Sequence, residues 1–211
     1  MNHYIDHTNL KPFSTRSSII KLCNEAIEFK FRGVCVNSGW IPLVSSLLKN
    51  TKIKIISTIG FPLGAVATET KLFEAKLAVE KGAHELDVVW NLGAFKNKNF
   101  VLVLIELIEL AKISPIKVIV ETCYLYESEL HDAYHIVEDS GAQFIKTSTG
   151  FGSTGANFST VKKLHSFGNL KIKASGGIWV YNQALELIEA GASVIGTSSG
   201  LSIIRGRPCR F

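Results

Sequence analysis

The chain has 211 residues, a formal net charge of +5 and a hydrophobic fraction of 46%, which fits one globular domain, residues 1–211, with a sizeable core. No charged segment followed by an apolar one opens it, and its longest apolar stretch, Phe100 to Ile113, is interrupted by Glu106 and Glu109, so neither a signal peptide nor a membrane span is expected. Its four cysteines, Cys23, Cys35, Cys123 and Cys209, form no CxxC pair, which points to reduced thiols and a cytoplasmic location rather than a disulfide framework.

Strand-like runs recur along the chain at His3–His7, Gly33–Asn37, Ile53–Ile59, Glu85–Trp90, Lys117–Glu121, Phe144–Thr147, Lys171–Ala174 and Ser193–Thr197. Most are rich in Val and Ile without clean alternation, as parallel strands covered by helices are. Helical patterns separate them. From Ser14 to Phe29, the residues Ile19, Ile20, Cys23, Ala26 and Ile27 recur at three-four spacing, and Thr70 to Lys81 and Glu127 to Asp139 behave similarly. Three helices end in Gly-Ala before the next strand, at Gly82, Gly141 and Gly191, where glycine stops a helix by adopting the left-handed conformation. Eight strands alternating with helices, at about 26 residues per unit, predict a (β/α)8 TIM barrel, although strand count alone leaves a doubly wound sheet open.

Charge is unevenly placed. Between Ser140 and Leu185 there is no Asp or Glu but five lysines, 146, 162, 163, 171 and 173. An anionic ligand fits this region. Nucleic acid is not expected, because no helix-turn-helix, zinc-finger or RNP pattern accompanies the lysines.

Within that region, Lys146 follows the apolar pair Phe144-Ile145 and precedes Thr147-Ser148-Thr149-Gly150. Burying an ammonium is costly, and a lysine that escapes the cost by losing its proton becomes a nucleophile for carbonyls. Lys173 stands one β/α unit later, before Ser175-Gly176-Gly177. Two ammonium groups on adjacent strands would weaken each other's hold on the proton. The reading is a Schiff-base lysine, Lys146, tuned by Lys173. The bland alternative is a lysine reaching from a strand end to solvent.

Asp87, flanked by Leu86 and Val88, must be paired or face a cavity, where a carboxylate can move protons; a structural ion pair is the alternative. Asp6 is expected to pair with a lysine across the barrel, with a structural role as well supported as a relay. Gly176-Gly177 and the run Gly196-Thr197-Ser198-Ser199-Gly200 offer backbone N–H groups and hydroxyls suited to a phosphate monoester, or serve as ordinary turns. Gly150-Phe151-Gly152-Ser153-Thr154-Gly155 matches GxGxxG, but the acid expected about 20 residues on is missing, which rejects a dinucleotide site. His131 and His135 lack the HExxH glutamate, so no metal site is expected. Cys35 and Cys123 read as small buried apolar residues.

The order and spacing of these motifs resemble the deoxyribose-phosphate aldolase family over nearly the whole chain. The resemblance rests on Ile5-Asp6-His7-Thr8 through Lys11-Pro12, Val34-Cys35-Val36-Asn37, Gly60-Phe61-Pro62-Leu63-Gly64, Glu85 to Val89, Val120-Glu121-Thr122-Cys123, Phe144 to Gly150, Lys173 to Gly177 and Gly196 to Gly200. It implies a barrel-fold class I aldolase without metal or cofactor. The family cleaves 2-deoxy-D-ribose 5-phosphate to D-glyceraldehyde 3-phosphate and acetaldehyde in nucleoside catabolism. Carried over, Lys146 resembles the Schiff-base lysine, Asp87 the proton-transfer residue, Lys173 the tuning lysine and Asp6 the orienting carboxylate. Thr149, Gly150, Gly176, Gly177, Gly196, Ser198 and Ser199 are the expected substrate and phosphate contacts. The chain departs from the family at Trp179, where Arg usually follows Gly-Gly-Ile, and at Ser38, where Pro is frequent. Its end, Arg205 to Phe211, stands in place of a full closing helix and is expected to be a short closing segment, with a second subunit of a homodimer as one way to cover that side.

Overall fold

A computed structural model describes residues 1–206 of the chain. Its strands are β1 (Ile5–Asn9), β2 (Gly33–Asn37), β3 (Lys54–Ile59), β4 (Glu85–Val89), β5 (Ile116–Ile119), β6 (Phe144–Lys146), β7 (Lys171–Ser175) and β8 (Ala192–Thr197). Each pairs in parallel with the next, and β8 pairs back onto β1 through Ile5, Asp6 and His7. The sheet is therefore the closed (β/α)8 barrel expected from the sequence, and the open doubly wound alternative is excluded.

The helices are α1 (Arg16–Phe29), α2 (Ile41–Leu48), α3 (Thr68–Glu80), α4 (Leu92–Lys96), α5 (Phe100–Ala111), α6 (Leu130–Asp139), α7 (Phe158–Ser166), α8 (Tyr181–Glu189) and α9 (Gly200–Ile204). Local chemistry sets their ends. Thr15 and Ser18 form a capping box that starts α1, and Lys30 ends it in the left-handed conformation at φ 52°. Within α1 the buried face is Ile19, Leu22, Cys23 and Ala26. Ile27, expected on that face, is instead exposed. The Gly-Ala stops behave as expected, with φ of 108° at Gly82, 76° at Gly141 and 114° at Gly191.

Most boundaries moved by one or two residues, β5 ending at Ile119 rather than Glu121 and α3 starting at Thr68 rather than Thr70 among them. The first strand begins at Ile5 rather than His3, because Tyr4 N–H bonds the Met1 carbonyl and closes a 3-10 turn over Asn2–Tyr4. Glu127–Glu129 forms a separate 3-10 turn before α6. Near the end, α9 follows β8. Residues 207–211, including Cys209 and most of the expected closing segment, lie outside the described residues. Among the described residues no helix is long and apolar enough to cross a membrane.

Strand alternation divides the core in two. Ile5, Leu86, Val88, Ile145 and Ile172 join helix residues such as Leu107 and Val137 in one large apolar cluster. The other face is charged: Asp6, Glu85, Asp87, Lys117, Lys146 and Lys173 are all buried and bonded to one another across the barrel. A separate buried pair, Lys71 with Glu106 at 2.6 Å, clips α3 to α5, and Thr68 donates to the same carboxylate. Removing one member of such a pair costs about 3–5 kcal/mol, because the other is left charged and dry.

Candidate active site

Lys146 ends β6 and points into the barrel, where its Nζ donates to Asp87 Oδ2 at 2.8 Å. Lys173 on β7 is the strand partner of Lys146 and donates to the same oxygen, also at 2.8 Å, and to Asp6 Oδ2 at 2.6 Å. The register between β7 and β8 slips between Ile172 and Lys173, the kind of irregularity that re-aims a side chain. Gly196 makes room for the result, since a Cβ there would sit 2.9 Å from Lys173 Cε.

The pairing continues into a closed ring. Asp6 Oδ1 accepts from Arg32 at 2.7 Å, and Arg32 donates to both oxygens of Glu85 at 2.8 Å. Lys117 joins Glu85 at 2.6 Å to Asp87 Oδ1 at 3.1 Å. Asp87, Lys173, Asp6, Arg32, Glu85 and Lys117 thus alternate in sign around a loop, three carboxylates with three cations. Lys146 is the fourth cation, attached at Asp87 and outside the balance.

The electrostatics follow from this geometry. Burial alone would raise Asp87, but Lys117, Lys146 and Lys173 hold its carboxyl well below the usual carboxylate range. Burial would likewise raise Asp6, and Lys173, Lys117 and Arg32 outweigh it. Lys173 is the converse case: burial opposes its charge, while Asp6 and Asp87 keep it above the ordinary lysine range. It is a fixed cation. Cys35 lies against Asp87 at 3.6 Å, and burial, then the Asp87 charge, push its thiol up to about 11. Cys35 is buried as expected, whereas Cys123 is only half-buried.

Lys146 forms the floor of a cleft of about 840 Å³ at the carboxyl ends of the strands. Three loops converge on it: Thr149 and Gly150 after β6, Gly176 and Gly177 after β7, and Ser198 and Ser199 after β8, with Gly196 at the end of that strand. All the residues expected to hold substrate therefore line one opening, with Asp87, Asp6 and Lys173 behind the lysine. Gly176 and Gly177 take φ of 85° and 72°, which a side chain would strain. A Cβ at Gly155 would strike the Gly176 carbonyl at 2.1 Å, so the loops after β6 and β7 touch backbone to backbone. Trp179 lines the same cleft and is about half exposed, at 43%.

Three residues of this architecture escaped assignment to the site from the sequence. Arg32, Glu85 and Lys117 complete the ring. A period-two signal marks Glu85, two residues before Asp87 on the same strand face. Glu121 adopts φ 52°, a conformation costing about 1–2 kcal/mol for an L-residue. Its carboxylate accepts from the Thr149 backbone N–H at 3.2 Å and from the Thr149 hydroxyl, fixing the loop that follows Lys146. His131 and His135, set aside as metal ligands, contact each other at 3.2 Å on α6.

Comparison with known proteins agrees with this geometry. Residues 1–206 match the model of the DeoC/LacD family aldolases. A deoxyribose-phosphate aldolase of Thermococcus kodakarensis is 50% identical over 97% of this chain and 96% of that protein. Among solved structures, an aldolase named QR15 superposes with a TM-score of 0.93 at 44% identity, covering 97% of this chain and 94% of its own. A tetrameric deoxyribose phosphate aldolase from Aeropyrum pernix gives a TM-score of 0.90 at 33% identity over 96% of this chain and 88% of its own. With a matching family model over nearly its full length, a closed barrel and a lysine at the floor of its cleft, the chain belongs to the DeoC/LacD family of aldolases.

Proposed function

We propose that this single-domain barrel is a class I deoxyribose-phosphate aldolase of the cytoplasm, with Lys146 as its Schiff-base nucleophile. The observation that carries the assignment is the charge arrangement. The six-membered ring is neutral by itself, so Lys146 is the one cation that can give up its proton and leave every other member paired. Its position on the floor of the cleft puts that amine where a substrate carbonyl can reach it.

In the cleavage direction the Lys146 amine adds to C1 of open-chain 2-deoxy-D-ribose 5-phosphate. Water leaves, and the protonated imine holds the positive charge where the ammonium stood, beside Asp87. The C2–C3 bond then breaks, its electron pair moving into the imine to give a neutral enamine. At that moment Asp87 loses one of its three cations and becomes more basic. This is when the C3 hydroxyl must give up a proton, which Asp87 takes through a water. The products at this stage are D-glyceraldehyde 3-phosphate and the enamine. Returning the proton to C2 regenerates the imine, and hydrolysis releases acetaldehyde and the free amine.

Lys173 stays charged throughout and keeps the ring balanced; Asp6 holds Lys173 in place. Thr149, Gly150, Gly176, Gly177, Gly196, Ser198 and Ser199 surround the sugar phosphate, the glycine N–H groups facing the phosphate end. No metal or cofactor enters the scheme. A cytoplasmic location fits unpaired thiols at Cys23, Cys35 and Cys123. Homodimerisation is supported by apolar side chains exposed on the adjoining helices α3 and α5, Phe73 and Leu77 on one, Val101 and Ile105 on the other.

A coupled assay for acetaldehyde release from 2-deoxy-D-ribose 5-phosphate tests the assignment. Release is expected from the wild type and is expected to be lost on Lys146→Met. Turnover of ketose phosphates without turnover of deoxyribose phosphate would reassign the enzyme.

A further inference from the structure

We propose that the opposite end of the barrel carries a second anion site, for a compact, multiply charged phosphate of the pyrophosphate type. A cavity of about 500 Å³ opens there between the end of α1 and the start of β3, a size that suits a small ligand. Five basic side chains line it: His3, Lys30, Arg32, Lys52 and Lys54. No acidic residue does. Among the described residues, none of Lys30, Lys52 and Lys54 has a carboxylate partner within 4.0 Å.

The fold fixes these cations around one space. Lys30 is held by the left-handed turn that ends α1, and the Lys54 backbone N–H bonds the Arg32 carbonyl where β3 joins β2. Arg32 uses three hydrogen bonds on Asp6 and Glu85, leaving two of its five N–H donors outside them. A concave surface lined by one sign of charge focuses its field on counter-ions. Thr51 and the apolar residues Ile27, Phe31 and Ile53 complete the wall, and the apolar part gives an uncharged portion of a ligand a surface to lie on. Inorganic pyrophosphate and the diphosphate end of a nucleotide share the required chemistry.

The test is calorimetric titration of the full chain with inorganic pyrophosphate and, separately, with adenosine diphosphate. The comparison protein is the triple variant Lys30→Ala, Lys52→Ala, Lys54→Ala. None of the three belongs to the cleft lining or to the ring, and Ala keeps the Lys54 backbone bond to Arg32, so its cleavage activity is expected to stay within about twofold of wild type, which also reports on its folding. Wild type should show a class of binding that the variant loses or weakens by about tenfold or more. Tighter binding of adenosine diphosphate supports the site with a nucleotide as its ligand, and equal binding supports it with the inorganic anion. Identical isotherms for wild type and variant with both titrants overturn it. If the triple variant is inactive, the single variant Lys54→Ala reads the same difference.

Discussion

Lys146 and Lys173 donate to one and the same oxygen, Asp87 Oδ2, each at 2.8 Å. The two lysines are otherwise unequal. Lys173 is fully buried and has a second carboxylate, Asp6, at 2.6 Å; among the described residues Lys146 has only the shared one, and it lines the cleft. The same residue type on neighbouring strands is thus divided into one lysine held between two carboxylates and one that shares a single carboxylate and lines the cleft. Register pairing of positions 146 and 173 in adjacent strands brings them together.

Replacing Lys173 with Leu removes the fixed cation and leaves Asp87 and Asp6 short of one partner. Lys146 then faces a site with surplus negative charge, which favours its ammonium form. The acidic limb of the kcat/KM profile is expected to move to higher pH, and activity at neutral pH to fall by about 10²-fold or more. Lys173→Arg should restore part of the limb position. An unmoved limb in the Leu variant would deny Lys173 its tuning role.

The ring should also show in acid stability. Asp6, Glu85 and Asp87 are all held below their ordinary values: burial opposes this in each, and the neighbouring lysines and Arg32 outweigh it. In the unfolded chain such groups titrate near ~3.9–4.3. Below that range the unfolded state takes up protons that the folded state refuses. The stabilisation is therefore present above about pH 4 and lost as pH falls through the depressed folded values. Urea denaturation from pH 7 to pH 3 should give a plateau followed by a decline on the acid side. A stability that holds or rises on acidification would contradict the pairing.

Trp179 lines the cleft next to Gly176 and Gly177. Trp179→Arg places a guanidinium where a phosphate can be met by charge-assisted bonds. KM for 2-deoxy-D-ribose 5-phosphate is expected to fall about five- to tenfold with kcat little changed, since the contact is made equally in ground and transition states. Unphosphorylated 2-deoxyribose should show no such gain. Equal effects on both sugars would place the phosphate elsewhere.

How far the sequence revealed this site depended on the surroundings of each charge. Asp87 and Lys146 stood out because Leu, Val, Phe and Ile flank them, and a charge in such a run demands a reason. Arg32 did not, because it follows Lys30 and Phe31 at a helix-to-strand turn where a basic residue is ordinary. Lys117 sits just after Pro115-Ile116 at the start of a strand and reads as an end residue. The partners are also remote: Arg32 meets Glu85 from 53 residues away and Lys173 meets Asp6 from 167. The second of these contacts spans the seam that forms when β8 closes onto β1. The barrel itself was legible because its stop signals repeat, but the 3-10 turn that delays β1 depends on local bonds, from Tyr4 to Met1 and from Ile5 to Asn2.

Covalent trapping addresses the nucleophile most directly. The full chain is incubated with acetaldehyde, reduced with borohydride, digested and mapped by mass spectrometry. An N-ethyl group on Lys146, absent from Lys173 and Lys117 and accompanied by loss of activity, is the predicted result. Modification at another lysine in its place, or full activity surviving reduction, would contradict it.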